Sequence, residues 1–303
     1  MQPATRHIAA VLAASVLWGT TGVVAQQAPA GSDQMLVGLS TFGFGGLLLF
    51  ALGPRAASGV LRARRSWLLL GMGALGVIAY ASMYYWSMSL IGVAIGNVLA
   101  LGSGPVFAGL LELIVERRPV RGGWAAATAT AVVGIALLAS SAMQETGSHP
   151  ILGVVLGLGA GLGYALYSWC GARLIAHGDP SRGVMAGIFT LASLVLVPWF
   201  LLATPGPLVR HPSGLIVLAY LALLPMAIAY LLFGYGLQGL AASTATTLAL
   251  AEPFVATTLA TILLDEQLSR DAWIGLALIL IGIVIIVVTE RRQEHRPQSA
   301  LQA

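Results

Sequence analysis

The chain consists of two similar halves, and this repeat limits the folds open to it. The segment from Leu90 to Ser140 recurs about 150 residues later, so that Ser103-Gly-Pro105 corresponds to Ala251-Glu-Pro253. The match continues upstream, where Ala79-Tyr80 corresponds to Ala229-Tyr230. Each half is therefore predicted to be a complete folding unit.

Each half contains several apolar stretches that are long enough to cross a membrane. A helix needs roughly 17 to 25 mainly apolar residues to span a hydrocarbon core of about 30 Å. About five such stretches can be placed before His149 and about five after it. They are predicted near Ile8 to Ala28, Gln34 to Leu52, Trp67 to Leu90, Val93 to Val115, Gly122 to Ala142, Ile151 to Ala176, Gly183 to Ala203, Leu215 to Leu237, Ala242 to Leu264 and Ala272 to Thr289.

An odd number of spans in each half determines how the halves lie relative to one another. The second half must enter the membrane from the opposite side, and inverted repeats are a transporter architecture. The prediction is an all-α polytopic membrane protein of about ten transmembrane helices in two inverted five-helix repeats. The repeats are expected at residues 1–148 and 149–290, followed by a cytoplasmic tail at 291–303.

The distribution of positive charge predicts the orientation. All 15 basic residues are arginines. If the spans alternate from a cytoplasmic N-terminus, only Arg210 and Arg270 fall on the outside, a bias of roughly six to one that agrees with the positive-inside rule. Both termini are therefore predicted to be cytoplasmic. The net charge of +4 is attributed to this topology, and no nucleic-acid partner is predicted.

The composition argues against other classes of protein. With 58% hydrophobic and 9% charged residues, the sequence leaves no stretch for a soluble signalling or scaffolding domain once the spans are placed. The single cysteine, Cys170, lies within a predicted span, and the histidines are scattered through tails and loops. No HExxH motif or nucleophile–base pair stands out. The chain is therefore not expected to be an enzyme, and neither a metal nor a cofactor is predicted.

Several features together resemble the EamA-type drug/metabolite transporters. They are Trp18-Gly19 early in the first span, Pro105 followed by Glu116, Pro253 followed by Glu266, and a glycine-rich closing helix. The resemblance covers the chain from about Ile8 to Thr289, and the aromatic-rich spans are most similar to bacterial aromatic amino acid exporters of that family. It implies residence in the bacterial inner membrane and outward movement of amino acids or related small metabolites.

Two prolines lie at equivalent positions in the middle of the fourth and ninth spans. Pro105 and Pro253 each remove one helix hydrogen bond and leave a carbonyl group without its usual partner. Two broken helices at matching depth would mark a binding site between the repeats. Both prolines are therefore predicted to act as hinges or kinks, although a plain packing kink is an alternative for each.

A single carboxylate is predicted near the middle of the membrane. Glu252 precedes Pro253, whereas Gly104 precedes the equivalent proline in the first half. An ionised acid at this depth costs on the order of 2.5 to 3.5 kcal/mol on insertion scales, so it normally faces the interior. Glu252 is interpreted either as a substrate contact or protonatable switch, or as a neutral or hydrogen-bonded acid that ties the broken helix to a neighbouring backbone or to a hydroxyl such as that of Thr246 or Ser243. Glu112 is instead expected to extend to the cytoplasmic surface.

Aromatic and neutral polar residues within the spans complete the candidate site. Rings could stack on an apolar side chain, worth about 0.5 to 1.5 kcal/mol per pair, and could hold an ammonium group over their faces. Interfacial anchoring or helix packing is the alternative for each ring. The predicted substrate-binding residues are Trp18, Tyr80, Tyr84, Asn97, Tyr164, Trp169, Tyr230, Gln238, Thr244 and Glu252.

The sequence thus predicts an inner-membrane exporter of amino acids, with aromatic or large apolar ones as the leading candidates, or of related small metabolites. Two repeats would expose a central cavity to each side in turn, by facilitated diffusion. The alternative is a multidrug or organic-cation exporter coupled to protons through Glu252. The expected partners are a small-molecule substrate and the lipid bilayer, and the pattern is compatible with a monomer.

Overall fold

The computed structural model describes residues 3–140, 149–263 and 268–294, and within these residues every regular element is helical. Ten of the helices are long and apolar enough to cross a membrane. They are named α1 to α10 and comprise Ala4–Ala25, Gln34–Leu52, Arg64–Ile91, Val93–Val115, Gly122–Ser140, Pro150–Ala176, Ser181–Leu202, Pro212–Gly236, Ala242–Leu263 and Arg270–Arg292. The prediction of an all-α protein with ten membrane-spanning helices is confirmed.

The predicted boundaries agree with these helices to within a few residues. Two short helices, Pro54–Arg62 and Gly206–Arg210, lie in the connections after α2 and α7. Some predicted features lie outside the described residues. They are the span ends at Ala142 and Leu264, Glu266 of the family pattern, the end of the first repeat at residue 148, and the tail from residue 295 onward.

The two prolines have different surroundings. In α9 the helix is interrupted after Leu248 and resumes at Ala251, so that Pro253 lies in the first turn of the second segment. A proline is tolerated there because the first amide groups of a helix have no partner within the helix. In α4, by contrast, the helix runs from Val93 to Val115 with Pro105 inside it. The interruption expected in both halves is therefore found in one, and a hinge role for either proline stays a prediction.

The helix α8 is also interrupted, because residues Ala222–Ile228 form a π-helical segment that contains Pro225. A π-helical turn inside an α-helix widens the backbone and often occurs at functional sites. This segment packs against α2, and a Cβ atom placed on Gly45 would approach the side chain of Met226.

Glycines allow the closest helix crossings. Where α3 crosses α6, a Cβ atom at Gly163 would lie 2.6 Å from the carbonyl oxygen of Gly76 and 2.9 Å from the amide nitrogen of Tyr80. Where α5 crosses α10, a Cβ atom at Gly134 would lie 2.6 Å from the carbonyl oxygen of Gly275. Such backbone-to-backbone packing is typical of small residues in membrane helices.

The first helix of each half packs mainly against helices of the other half. In the first half α1 contacts α8 and α9, and in the second half α6 contacts α3 and α4. The helices α2 and α7 pair with each other, as do α5 and α10. The two halves therefore form a single interleaved bundle, in which the first helix of each half is covered mainly by helices of the other half.

A buried carboxylate, that of Asp179, connects the start of α3 to the loop between α6 and α7. It accepts hydrogen bonds from Arg65 Nη2 at 3.0 Å and from Ser66 Oγ at 2.9 Å. Because the Arg65 side chain is mostly exposed, the ion pair contributes little and the buried Ser66 hydroxyl matters more. We expect Asp179→Ala to lower the free energy of unfolding by about 1 to 3 kcal/mol, since it leaves that hydroxyl unpaired.

Thermal unfolding of the purified variants in detergent measures this effect. The matched control is Asp271→Ala, which removes an exposed carboxylate in the first turn of α10. Equal unfolding temperatures for the two variants would contradict the assigned role of Asp179.

Candidate functional site

A cavity of about 800 Å³ lies inside the bundle, which is a suitable size for a small organic ligand. Its walls come from α1, α2, α3, α4, α6, α8 and α9. It extends from Glu252 and Tyr230 in the middle of the bundle to Asp33 before α2 and Val93 at the start of α4. We call this end of the bundle, where α1 and α3 finish, the cavity end.

Tyrosines of α3 and α6 form one wall of the cavity. The rings of Tyr80 and Tyr84 are stacked, with centroids 5.4 Å apart and an angle of 20° between their planes. Tyr80 also contacts the ring of Tyr164 at 5.6 Å, because the glycine crossing brings α3 and α6 together. The Tyr84 hydroxyl donates a hydrogen bond to Asn97 Oδ1 at 2.9 Å. This bond leaves the Asn97 amide NH₂ group available as a donor.

The aromatic lining continues to Tyr230 of α8, whose ring lies 5.9 Å from that of Tyr167. The Tyr230 ring also lies 5.1 Å from that of Trp18 and 4.3 Å from that of Phe189. The Tyr230 hydroxyl shares a 2.7 Å hydrogen bond with the hydroxyl of Tyr167. Aromatic rings from both halves of the chain therefore form one continuous cluster along the cavity.

Glu252 contributes a carboxyl group to the cavity from the first turn of the second α9 segment. Tyr80, Tyr84 and Tyr164 line the same cavity. Among the described residues, none donates a hydrogen bond to this carboxyl group or forms an ion pair with it.

The alternative interpretation of Glu252, in which it is bound to the hydroxyl of Thr246 or Ser243, is not found. Thr246 donates to the carbonyl oxygen of Ala242 at 2.8 Å, which keeps its hydroxyl within its own helix. Ser243 donates to Glu112 instead. The carboxyl group of Glu252 is therefore available to bind a ligand in the cavity.

Seven of the ten predicted substrate-binding residues line this cavity, namely Trp18, Tyr80, Tyr84, Asn97, Tyr164, Tyr230 and Glu252. The remaining three lie at the opposite end of the bundle. Trp169 Nε1 donates to Glu116 Oε1 at 2.9 Å, Gln238 Nε2 donates to Ser181 Oγ at 2.7 Å, and Thr244 Oγ1 donates to Glu290 Oε1 at 3.1 Å. These three residues connect helix ends and do not reach the cavity in this conformation.

Polar contacts close the end of the bundle opposite the cavity end, and we call it the closed end. Glu112 Oε1 accepts from the backbone amide of Ser243 at 2.9 Å, and Glu112 Oε2 accepts from the Ser243 hydroxyl at 2.6 Å. Glu116 forms ion pairs with Arg118 at 3.0 Å and with Arg173 at 3.6 Å. Together these contacts join α4 to α6 and α9.

The prediction that Glu112 extends to the membrane surface is wrong. The first amide groups of α9 have no partners within the helix, and a carboxylate at a helix N-terminus satisfies them and interacts favourably with the helix dipole. Ser243 lies in that first turn, so the half-buried Glu112 caps α9 from the neighbouring helix.

Several cavity residues were missed by the sequence analysis, including Phe42, Tyr85, Tyr167 and Met226. Tyr167 follows Tyr164 by three residues and so lies on the same helix face, a spacing that could have identified it. Phe42 and Met226 are apolar residues within apolar spans, and the sequence offers no signal that separates them from packing residues. Among the described residues, no cluster of His, Cys, Asp and Glu is placed to hold a metal ion.

Comparison with known proteins gives consistent matches over nearly the whole chain. The profile of the EamA-like transporter family matches residues 5–140 and again residues 151–288. The uncharacterized transporter YwfM of Bacillus subtilis is 32% identical over 286 residues, which cover 94% of each protein. The threonine/homoserine exporter RhtA of Escherichia coli is 28% identical over 219 residues, which cover 72% of this chain and 71% of RhtA.

A solved structure has the same fold. This crystal structure of a protein superposes with a TM-score of 0.80 over 96% of the present chain and 99% of its own, at 20% sequence identity. At this identity the similarity concerns the fold alone.

Proposed function

The chain belongs to the EamA-like transporter family, and from this premise we propose that it exports amino acids with aromatic or large apolar side chains, or closely related metabolites, across the bacterial inner membrane. It is a multi-pass membrane transporter rather than an enzyme, and a distant relative is named as an exporter of threonine and homoserine. The finer similarity to aromatic amino acid exporters stays a prediction.

One observation supports this substrate class above the others, namely a carboxyl group without a partner in a cavity walled by aromatic rings. None of the described residues that line the cavity is basic, so Glu252 has no cationic side chain beside it. A substrate ammonium group could take that place, and the faces of Tyr84 or Trp18 would add a cation–π contribution. The side chain of the substrate would then stack against the tyrosine wall.

The proposed mechanism is alternating access between the two halves. The cavity extends to one end of the bundle, while the other end is closed by the contacts of Glu112 and Glu116. If the predicted orientation holds, this conformation is the outward-facing one. Reloading from the cytoplasm requires the closed end to open as the cavity end closes.

Exchange in proteoliposomes tests the proposed function. Purified protein is reconstituted into liposomes loaded with radiolabelled phenylalanine, and unlabelled amino acids, nucleobases and organic cations are added outside. We expect exchange with aromatic and large apolar amino acids, without a requirement for a pH gradient. Exchange that is confined to organic cations or that depends on a pH gradient would contradict the proposal.

An exporter of organic cations coupled to protons is the second candidate. It is favoured by the same absence of basic side chains among the described cavity residues, because the carboxylate of an amino acid finds no cationic partner there. A cation without a carboxylate would need only Glu252 and the aromatic rings. The competing cations in the exchange experiment distinguish the two candidates.

A separate prediction concerns the opening of the closed end during transport. Cys170 is fully buried and packs with Trp169, Ala108 and Ala242, close to the contacts that close this end. We expect Glu112→Ala to increase the rate at which a maleimide labels Cys170 by about tenfold, because the loss of a hydrogen-bonded carboxylate is worth about 1.5 kcal/mol or more.

Mass spectrometry of the protein labelled in liposomes measures this rate. The control is Asp271→Ala, which removes an exposed carboxylate in the first turn of α10. An unchanged rate in the Glu112 variant would mean that its contact with Ser243 does not hold this end closed.

A further inference from the structure

Exposed arginines cluster where the short helix Pro54–Arg62 meets the beginnings of α3 and α7. The short helix packs on α7, and a Cβ atom at Gly183 would lie 2.6 Å from the carbonyl oxygen of Ala56. Arg182 adjoins this contact in sequence and is therefore brought to the same part of the bundle. We call the five exposed residues at this place the arginine corner, namely Arg55, Arg62, Arg64, Arg65 and Arg182.

Most of the charge in the arginine corner is not balanced by direct contacts. Among the described residues, Arg65 is the one member of this set with a carboxylate partner, Asp179 at 3.0 Å. The arginines near the ends of α4 and α6 differ in this respect, because Arg118 and Arg173 both form ion pairs with Glu116. The arginine corner therefore has guanidinium groups available for an anionic molecule.

An indole ring connects the arginine corner to the membrane-spanning part of α3. Trp67 Nε1 donates a hydrogen bond to the carbonyl oxygen of Leu61 at 2.8 Å, which holds the ring against the end of the short helix. The guanidinium carbon of Arg64 lies 5.9 Å from the centre of this ring. The indole is nevertheless 55% exposed. Tryptophans at the ends of spans lie at the level of the lipid headgroups, so Arg64 is held at the depth of the phosphates.

The face of α3 that follows Trp67 is apolar and points away from the bundle. Leu68 and Leu75 are 75% and 65% exposed, and their spacing of seven residues places them on one side of the helix. Gly71 lies between them, and a Cβ atom added there would have no other atom within 4 Å. The missing side chain therefore leaves an open notch in an apolar strip that begins directly beside Trp67.

We propose that the arginine corner and this strip of α3 form a binding site for an anionic phospholipid. The lipid phosphate contacts Arg62 and Arg64, and one acyl chain lies along Leu68, Gly71 and Leu75. Clusters of basic residues beside a span attract anionic lipids, and guanidinium groups match the geometry of phosphate oxygens. A soluble phosphate compound would use the arginines alone, whereas the exposed apolar strip fits an acyl chain. The proposal is independent of the transported substrate.

The test is lipid binding to the full-length protein in detergent, measured by native mass spectrometry. Dioleoylphosphatidylglycerol is the anionic probe, and dioleoylphosphatidylcholine has the same acyl chains without a net charge. We expect the wild type to bind the anionic lipid about tenfold more tightly. The double variant Arg62→Gln/Arg64→Gln should bind it about 30-fold more weakly, since each basic residue near an anionic headgroup contributes about a factor of five.

The matched control is the double variant Arg210→Gln/Arg270→Gln. It also removes two exposed positive charges, but at the cavity end, where Arg210 ends a short helix and Arg270 begins α10. This control should keep the wild-type affinity for both lipids. Thermal unfolding of both double variants verifies that each is folded. A competition with sn-glycerol 3-phosphate, which has the phosphate without acyl chains, should not displace the bound lipid.

Three results would each overturn the proposal. Equal affinities of the wild type for the two lipids would show that the arginine corner does not recognise an anionic headgroup. An equal loss of affinity in the two double variants, or no loss in either, would leave only a general attraction by the net charge of the protein. Displacement of the lipid by sn-glycerol 3-phosphate would assign the arginines to a soluble phosphate compound instead.

Discussion

Replacing Glu252 by glutamine is expected to reduce phenylalanine exchange by about 10- to 100-fold. Hydrogen bonds to charged groups contribute about 1.5 to 3 kcal/mol, and each 1.36 kcal/mol corresponds to a factor of ten. The substitution keeps the size of the side chain and removes its capacity for negative charge. Because Glu252 has no partner among the described residues, the substitution should weaken substrate binding and leave the stability of the fold unchanged.

Counterflow in proteoliposomes measures transport by this variant, and equilibrium binding of the purified protein measures affinity. The control is Glu290→Gln, which changes a carboxyl group bonded to Thr244 at the closed end. Loss of binding together with transport identifies Glu252 as a substrate contact. Binding that is retained while transport against a gradient is lost would identify it as a proton switch and support the second candidate function.

Gly163→Ala is expected to lower the free energy of unfolding by about 3 kcal/mol, at the upper end of the range for overpacking. The added Cβ atom would lie 2.6 Å from the carbonyl oxygen of Gly76 and 2.9 Å from the amide nitrogen of Tyr80. Both are backbone atoms, so relief requires that α3 and α6 move apart. The same movement separates Tyr80 from Tyr164, so exchange should fall even in the protein that remains folded.

Thermal unfolding in detergent measures the change in stability. Gly71→Ala, also on α3, is the matched control because no atom lies within 4 Å of its added Cβ. It should be neutral or slightly stabilising, since alanine favours a helix more than glycine does. Equal unfolding temperatures for the two variants would show that the α3–α6 crossing tolerates separation.

The fold could be predicted from the sequence because length and hydropathy determine the spans almost by themselves. Some of the residues that line the cavity could also be predicted from the sequence. Tyr80, Tyr84 and Tyr164 are polar-tipped rings within apolar spans, and the structure brings them together. Glu252 stood out because an acid at mid-span is costly unless it faces the interior.

The closed end could not be predicted in the same way. Trp169 is as aromatic as Tyr164 and lies only five residues further along α6, yet it bonds to Glu116 at the end of α4. The partner of Glu112 is Ser243, which belongs to the other half of the chain. Hydropathy gives the depth of a residue in the membrane, but its partners depend on which helices meet there.

The interleaving of the two halves has a consequence for synthesis on the ribosome. The helix α1 is made first, yet the helices that cover it, α8 and α9, are made near the end of translation. The nascent protein must therefore hold its first helix in lipid without its native neighbours while most of the chain is inserted. The docking of α1 is completed only after the ninth span has entered the membrane, so a chain terminated before α8 lacks the surface on which α1 docks.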